Sequence, residues 1–171
     1  MNCFLRQWKI EDAPYLAAIA NNPNIQNNLR DGFPYPYTTD DALDFIHSML
    51  AADLHSTFAF AIIADEKPVG SIGAFRQANI HSRTAELGYY IAEEYWGRGI
   101  ATTAVQGIVK HVFERTDIVR IFAEPLARNA ASCRVLEKCG FSCEGIMQKN
   151  AFKNGRFEDM MLYAILKTDQ Q

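Results

Sequence analysis

No apolar run in this chain approaches the ~20 residues that a membrane-spanning helix needs, so nothing in the sequence calls for a bilayer. Cysteine is scarce, limited to Cys3, Cys133, Cys139 and Cys143. No two stand in C-x-x-C spacing, and no histidine lies near the three that cluster. That pattern excludes a disulfide framework and gives zinc poor support, so the thiols read as buried or half-buried groups in a reducing cytosol, with no metal. An excess of one charge is also missing. Lys and Arg number 17 against 20 Asp and Glu, a formal net charge of -3. This balance gives no reason to expect nucleic acid or an anionic membrane as partner and mildly favours a cationic substrate. Internal repeats, low-complexity tracts and Ser/Gly linkers are lacking, and the length suits one buried core rather than two, so residues 1–171 read as a single domain. The opening MNCFLRQWKIED turns charged too early for a signal peptide, from which a cytoplasmic location is expected.

What is present has the balance of a globular protein, 49% hydrophobic and 22% charged, which argues against disorder. Residues 4–8 predict an opening strand. A helix follows from about Asp12, with Leu16, Ile19 and Ala20 on one face and Pro14 tolerable in its first turn. The stretch 21–37, rich in Asn, Pro and Tyr, reads as an irregular loop with room for a short helical turn. Thr38-x-x-Asp41 is a capping box opening a second helix, in which Ala42, Phe45, Ile46, Met49 and Leu50 recur at helical spacing. Strands at 58–63 and 69–75 are joined by a turn over Asp65-Glu66-Lys67-Pro68. A strand over 84–92 leads through a glycine-bearing loop into a helix striped by Ala101, Ala104, Val105, Ile108 and Val112. A strand over 119–126 and a short helix over 130–139, ended by Gly140, come next. Two last strands, near 143–152 and 160–167, flank the hairpin turn Asn154-Gly155. This order predicts an α/β fold, a mixed sheet with helices on both faces.

The chemistry is concentrated at residues 91–102, IAEEYWGRGIAT. A strand ends, two glycines remove side chains from a tight turn, and a helix begins at once. Backbone N–H groups at a helix N-terminus have no intrahelical partner and carry the positive end of the helix dipole, which suits phosphate. From spacing alone, a plain glycine turn and a phosphate cradle are equally open. The nucleotide motifs do not fit: G-x-x-x-x-G-K-[ST] is absent, and Thr102 stands where a dinucleotide fingerprint needs its third glycine.

These residues resemble the GNAT acetyltransferase superfamily, which carries [Q/R]-x-x-G-x-[G/A] between its fourth strand and third helix. Trp96-Gly97-Arg98-Gly99-Ile100-Ala101 matches at Gly99 and Ala101, with Trp in place of the polar first residue. The form WGRGIAT is similar to the branch of ribosomal-protein N-terminal acetyltransferases. Asn129, Ser132, Glu137, Lys138, Gly140 and Phe141 match the family's N-x-x-S-x-x-x-x-E-K-x-G-F, and AELGYYI at 85–91 resembles the branch's acidic residue followed by Gly-Tyr. The resemblance implies a central, mostly antiparallel sheet of six to seven strands, splayed between strands 4 and 5 and flanked by about four helices. It implies acetyl-CoA as co-substrate and transfer of its acetyl group to a primary amine by direct attack in a ternary complex.

By the same resemblance, the peptide groups of Ile91 and Ala92 bond the pantetheine arm, and the amides of Gly97, Arg98, Gly99, Ile100, Ala101 and Thr102 hold the pyrophosphate. Asn129, also a fitting helix N-cap, reaches the pantetheine, and Ser132 lies near the thioester sulfur. Glu86 is the expected proton acceptor; its structural alternative is an ion pair with Arg83 or Arg120. Many family members carry Tyr four residues after the Ser132 position, where this chain has Leu136. Acceptor recognition falls by elimination to the final hairpin and to Arg30, Asp31, Phe33, Tyr35 and Tyr37, aromatics that equally suit packing of the loop onto the sheet. The acceptor stays open among antibiotic, polyamine, amino acid and peptide N-terminus, and so does the oligomeric state, a homodimer included. Two alternatives of other classes stand beside this reading: a CoA-binding sensor or structural module without turnover, and a redox or metal protein built on Cys133, Cys139 and Cys143.

Overall fold

The computed structural model describes residues 2–170; Met1 and Gln171, the ends of the expected domain, lie outside the described residues. Strand β1 (Cys3–Arg6) stops earlier than the sequence predicts, because the chain turns there to bury Trp8 edge-on against Phe45. Asp12 holds that turn: its carboxylate grips the Arg6 guanidinium at 2.8 and 3.0 Å and accepts from the Lys9 N–H at 2.9 Å. Helix α1 (Ala13–Ala20) then starts with Pro14 where its missing N–H costs nothing. The loop read as irregular contains the four-residue α2 (Pro23–Gln26), which makes five α-helices among the described residues where about four were expected. Helix α3 (Thr39–Ala51) opens on the expected box: Thr38 Oγ1 accepts from the Asp41 N–H, and Asp41 accepts from the Thr38 N–H.

Strands β2 (Thr57–Ala64) and β3 (Lys67–Arg76) form a hairpin whose turn is only Asp65-Glu66, both at positive φ. Two central residues at positive φ give the tight turn whose twist matches the flanking strands, so Lys67 and Pro68 already pair within β3. The same geometry recurs at Asn154-Gly155, between β6 (Ser142–Lys153) and β7 (Arg156–Leu166). Helix α4 (Ile100–Arg115) lays Ala104, Val105, Ile108, Val109 and Val112 on the sheet, each wholly buried. Burying one such aliphatic side chain contributes about 1.5–3 kcal/mol, so this stripe anchors the helix that follows the glycine loop.

With β4 (Thr84–Ile91) and β5 (Arg120–Ala123), the sheet has seven strands in the order β1-β2-β3-β4-β5-β7-β6. Every pairing is antiparallel except β4–β5. That parallel ladder holds only at Thr84, Ala85 and Glu86, opposite Arg120, Ile121 and Phe122. Beyond Phe122 the chain stays with β7, where the Pro125 carbonyl accepts from the Met161 N–H at 2.9 Å. The chain after β5 therefore follows β7, and β4 beyond Glu86 keeps an open edge. One core lies under α4 and α5 (Ala130–Lys138), the other between the opposite face and α1 with α3. Among the described residues, no helix is long and apolar enough to cross a membrane.

Candidate active site

A cavity of about 1350 Å³ opens where β4 and β5 part. That exceeds the roughly 300–1,000 Å³ of ordinary small-molecule sites, enough for a long ligand with a second one at its end. At one end lies the loop Trp96–Thr102. Gly97 and Gly99 take φ of 74° and 78°, the left-handed region that side chains strain. A Cβ at either would meet nothing within 4 Å, so backbone conformation and clearance, not packing, explain the glycines. The first intrahelical bond of α4 runs from the Thr103 N–H to the Gly99 carbonyl at 3.1 Å, so the N–H groups of Ile100, Ala101 and Thr102 precede it and face the cavity end. Trp96, which replaces the polar residue of the motif, donates from its indole to the Ile91 carbonyl at 2.8 Å and ties the loop to β4. The C-terminal half of α5 reaches the same loop, with the Cys139 thiol on the Thr102 carbonyl, and adds Arg134 and Lys138 to Arg98 along the wall.

On the open edge the structure corrects one expectation. Ala92 does not offer its peptide groups to the cavity: its N–H donates to Val69 of β3 at 2.8 Å, and its carbonyl accepts from Tyr95 at 2.9 Å. Alternate residues of a strand direct their peptide groups to the same side. Ala92 therefore faces β3 together with Tyr90, while Ile91 and Tyr89 face the gap. Asn129 caps α5 as expected, its oxygen accepting from the Ser132 N–H at 3.3 Å, which leaves its amide NH₂ for a ligand. Ser132 lines the cavity and stands 2.9 Å from the hydroxyl of Tyr89. Leu136 is wholly buried in the core beneath.

At the other end, Glu86 and Glu124 converge on one cation. Glu86 forms an ion pair with Arg30, and Glu124 reaches the same guanidinium at 3.5 Å. The two arginines weighed as partners of Glu86 are committed elsewhere, Arg83 to Asp117 and Arg120 to Glu144. Asp31 holds the ammonium of Lys153, a buried lysine at the end of β6. Phe33 stacks on Tyr37 with centroids 4.9 Å apart and meets Tyr90 edge-on. Both Phe33 and Tyr37 line the cavity while packing the loop onto the sheet, so the two readings of these aromatics coincide. Burial and the nearby Asp41 push the Tyr37 hydroxyl up to about 12. Tyr35 is half exposed and stands outside the cavity lining.

Sequence reasoning missed Tyr89, Glu124, Lys153, Arg134 and Lys138. Tyr89 was within reach, since strand alternation from Ile91 puts it on the same edge; Glu124 was not, because only the tertiary fold brings it and Glu86 onto one guanidinium. Among the described residues, no group of three or more His, Cys, Asp or Glu side chains is placed to hold a metal. Burial pushes the Cys133 thiol up and that of Cys139 up to about 11, the opposite of what a metal-binding or reactive thiolate needs.

Free amides at a helix N-terminus, an open strand edge and a carboxylate pair lie along one cavity. The chain belongs to the GNAT acetyltransferase family: residues 2–142 match its model, an acetyltransferase (GNAT) domain. It is 36% identical over 122 residues to the probable N-acetyltransferase YjcK of Bacillus subtilis (strain 168), covering 71% of this chain and 67% of that one. Two solved structures at 25% identity share the fold. RimJ of Mycobacterium smegmatis, in complex with CoA-disulfide, has a TM-score of 0.86 over 96% of this chain and 81% of its own. Spermidine N-acetyltransferase of Vibrio cholerae, in complex with CoA and spermine, has a TM-score of 0.82 over 98% and 96%. The protein is an acetyl-CoA-dependent N-acetyltransferase.

Proposed function

We propose that this acetyltransferase acts on α-amines, of a peptide or protein N-terminus or of a small molecule, in preference to lysine side chains. The observation that carries the proposal is the convergence of Glu86 and Glu124 on the Arg30 cation at the cavity end away from the glycine loop. An entering ammonium takes the place of that guanidinium between the two carboxylates. Glu86 then accepts its proton directly or through one water, since only the neutral amine can attack a thioester. The amides of Gly97–Thr102 hold the pyrophosphate of acetyl-CoA, the Ile91 and Tyr89 edge and the Asn129 amide hold its pantetheine arm, and Ser132 faces the sulfur. Acetyl-CoA supplies the activated acyl group.

Acid–base arithmetic favours the easier amine. An α-amine of pKa ~7.7–8.0 is about one-tenth to one-sixth neutral at pH 7, whereas a lysine amine at ~10.4 is neutral in about one molecule in 2500. A site whose base is a carboxylate suits the former. The four free cysteines fit a reducing compartment, and we place the enzyme, acting as one domain, in the cytoplasm.

The test is competition between two peptides, one with a free N-terminus and capped lysine, the other N-blocked with free lysine, followed by thiol release beside a direct CoA-binding assay. The free N-terminus is expected to give the higher kcat/KM at neutral pH. A higher value for the lysine peptide, or for spermine added as a third acceptor, overturns the α-amine reading. CoA binding with no release for any amine returns the chain to the sensor class that Leu136 suggested.

A further inference from the structure

The second half of acetyl transfer leaves a negative charge on sulfur, and no side chain of the usual position meets it: Leu136 is apolar and wholly buried. Two hydroxyls from different elements stand instead at the mouth of the β4 gap. Tyr89 projects from β4 and Ser132 from the first turn of α5, their oxygens 2.9 Å apart, and both line the cavity. The Tyr89 hydroxyl also has the Ser132 carbonyl at 3.4 Å as a second, longer acceptor for its one proton, so the phenol sits over one residue of α5 rather than over solvent.

We propose that Tyr89 is a positioning residue: its phenol donates to Ser132 Oγ, which frees the serine proton to hydrogen-bond the departing CoA sulfur. This inference deepens the acetyl-transfer reading and rests on it. Burial holds the phenol neutral, with its pKa pushed up to about 12 against the lowering effect of the Ser132 bond, so it remains a donor throughout the neutral range. A serine hydroxyl has one proton to give and two lone pairs to fill. With Tyr89 donating into one lone pair, the proton has no internal use and the adjacent amides of the α5 N-terminus favour negative charge nearby.

The step balances without any proton leaving Tyr89. The amine nitrogen forms the new C–N bond, the C–S bond breaks, and its electron pair goes to sulfur. One ammonium proton passes to Glu86 before the attack, and the second leaves the nitrogen for solvent water as the C–S bond breaks. The thiolate, with a pKa near ~8.5 by analogy with cysteine, leaves as such, stabilised by Ser132.

The test reads the sulfur directly and needs no acceptor. CoA bound to the wild type, to Tyr89→Phe, to Ser132→Ala and to the double variant is titrated by the ultraviolet absorbance of its thiolate. In the wild type the bound thiol is expected to ionise below free CoA, with a roughly tenfold larger thiolate fraction at pH 7. Each single variant is expected to lose that advantage, and the double variant to lose no more than Ser132→Ala. In turnover assays Tyr89→Phe is expected to lower kcat about five- to tenfold with the KM for acetyl-CoA within twofold, what one hydrogen bond is worth. A bound thiol that ionises like free CoA in all four proteins overturns the proposal. So does an additive loss in the double variant, which would make Tyr89 act independently of Ser132, or a kcat loss that follows a fall in Tm. A failure of the α-amine reading would leave the CoA titration untouched.

Discussion

Arg30 is the residue on which the proposed acceptor end turns, because its guanidinium pairs with both Glu86 and Glu124. Its side chain is 67% exposed, and exposed ion pairs are worth about 0–1 kcal/mol, so displacing it is a small cost against a desolvating substrate. Arg30→Ala is therefore expected to lower the KM for the amine severalfold with little change in Tm. Glu86→Gln is expected to lower kcat about a hundredfold, the worth of a positioned base, to remove the acid limb of the pH–rate profile, and to leave acetyl-CoA affinity within twofold. Steady-state kinetics with both substrates varied, beside thermal melting, separates these outcomes. If Glu86→Gln keeps full activity or unfolds, the pair with Arg30 is structural and nothing more.

At the scale of the element, the glycine loop and the first turn of α4 act together. Gly99 is the helix N-cap in the left-handed region, and its amide neighbours are aimed by that one conformation. Acetyl-CoA at about 100 times its Kd adds about 2.7 kcal/mol of stability, which for a chain of this size corresponds to a rise in Tm of about 5–11 °C. Gly99→Val is expected to abolish the shift, since a β-branched residue resists positive φ and its methyls would occupy the space meant for phosphate. A full shift in that variant would remove the pyrophosphate from the loop. The element was legible in advance: two glycines between a strand pattern and an apolar stripe announce a helix N-terminus. The ends of its neighbours were not, since β5 stops at Ala123, where its pairing with β7 ends.

Over the whole molecule, a formal charge of -3 conceals a segregation along one cavity. Arg98, Arg134 and Lys138 line the glycine-loop end, while Asp31, Asp41, Asp44, Glu86 and Glu124 outnumber Arg30 and Lys153 along the rest of the lining. In the function proposed above, one end attracts the anionic nucleotide and the other a cationic amine, each at a range that salt screens beyond about 8 Å. The double variant Arg134→Gln, Lys138→Gln is expected to raise the Kd for acetyl-CoA roughly tenfold at low ionic strength, with the difference shrinking toward 1 M salt. Calorimetric titration at two salt concentrations checks it; a loss independent of salt would mean that these side chains pack against the ligand instead.

What the amino-acid sequence determined by itself was short in range. The Thr38–Asp41 box, the Asn154-Gly155 turn, the α4 stripe and the Asn129 cap each depend on residues within one or two turns of chain, where side chain and backbone meet whatever the rest of the fold does. Motif order was legible for the same reason. Only the tertiary structure brought Arg30 to Glu86 across 56 residues and to Glu124 across 94, or Tyr89 to Ser132 across 43. Those meetings follow from the parallel register of β4 on β5 and from where that ladder breaks. The pairing of β4 with β3 turned Ala92 inward, and that break left Tyr89 and Ile91 on an open edge. Strand register is a property of two distant segments at once, set by packing on both faces of the sheet, and neither segment carries it alone.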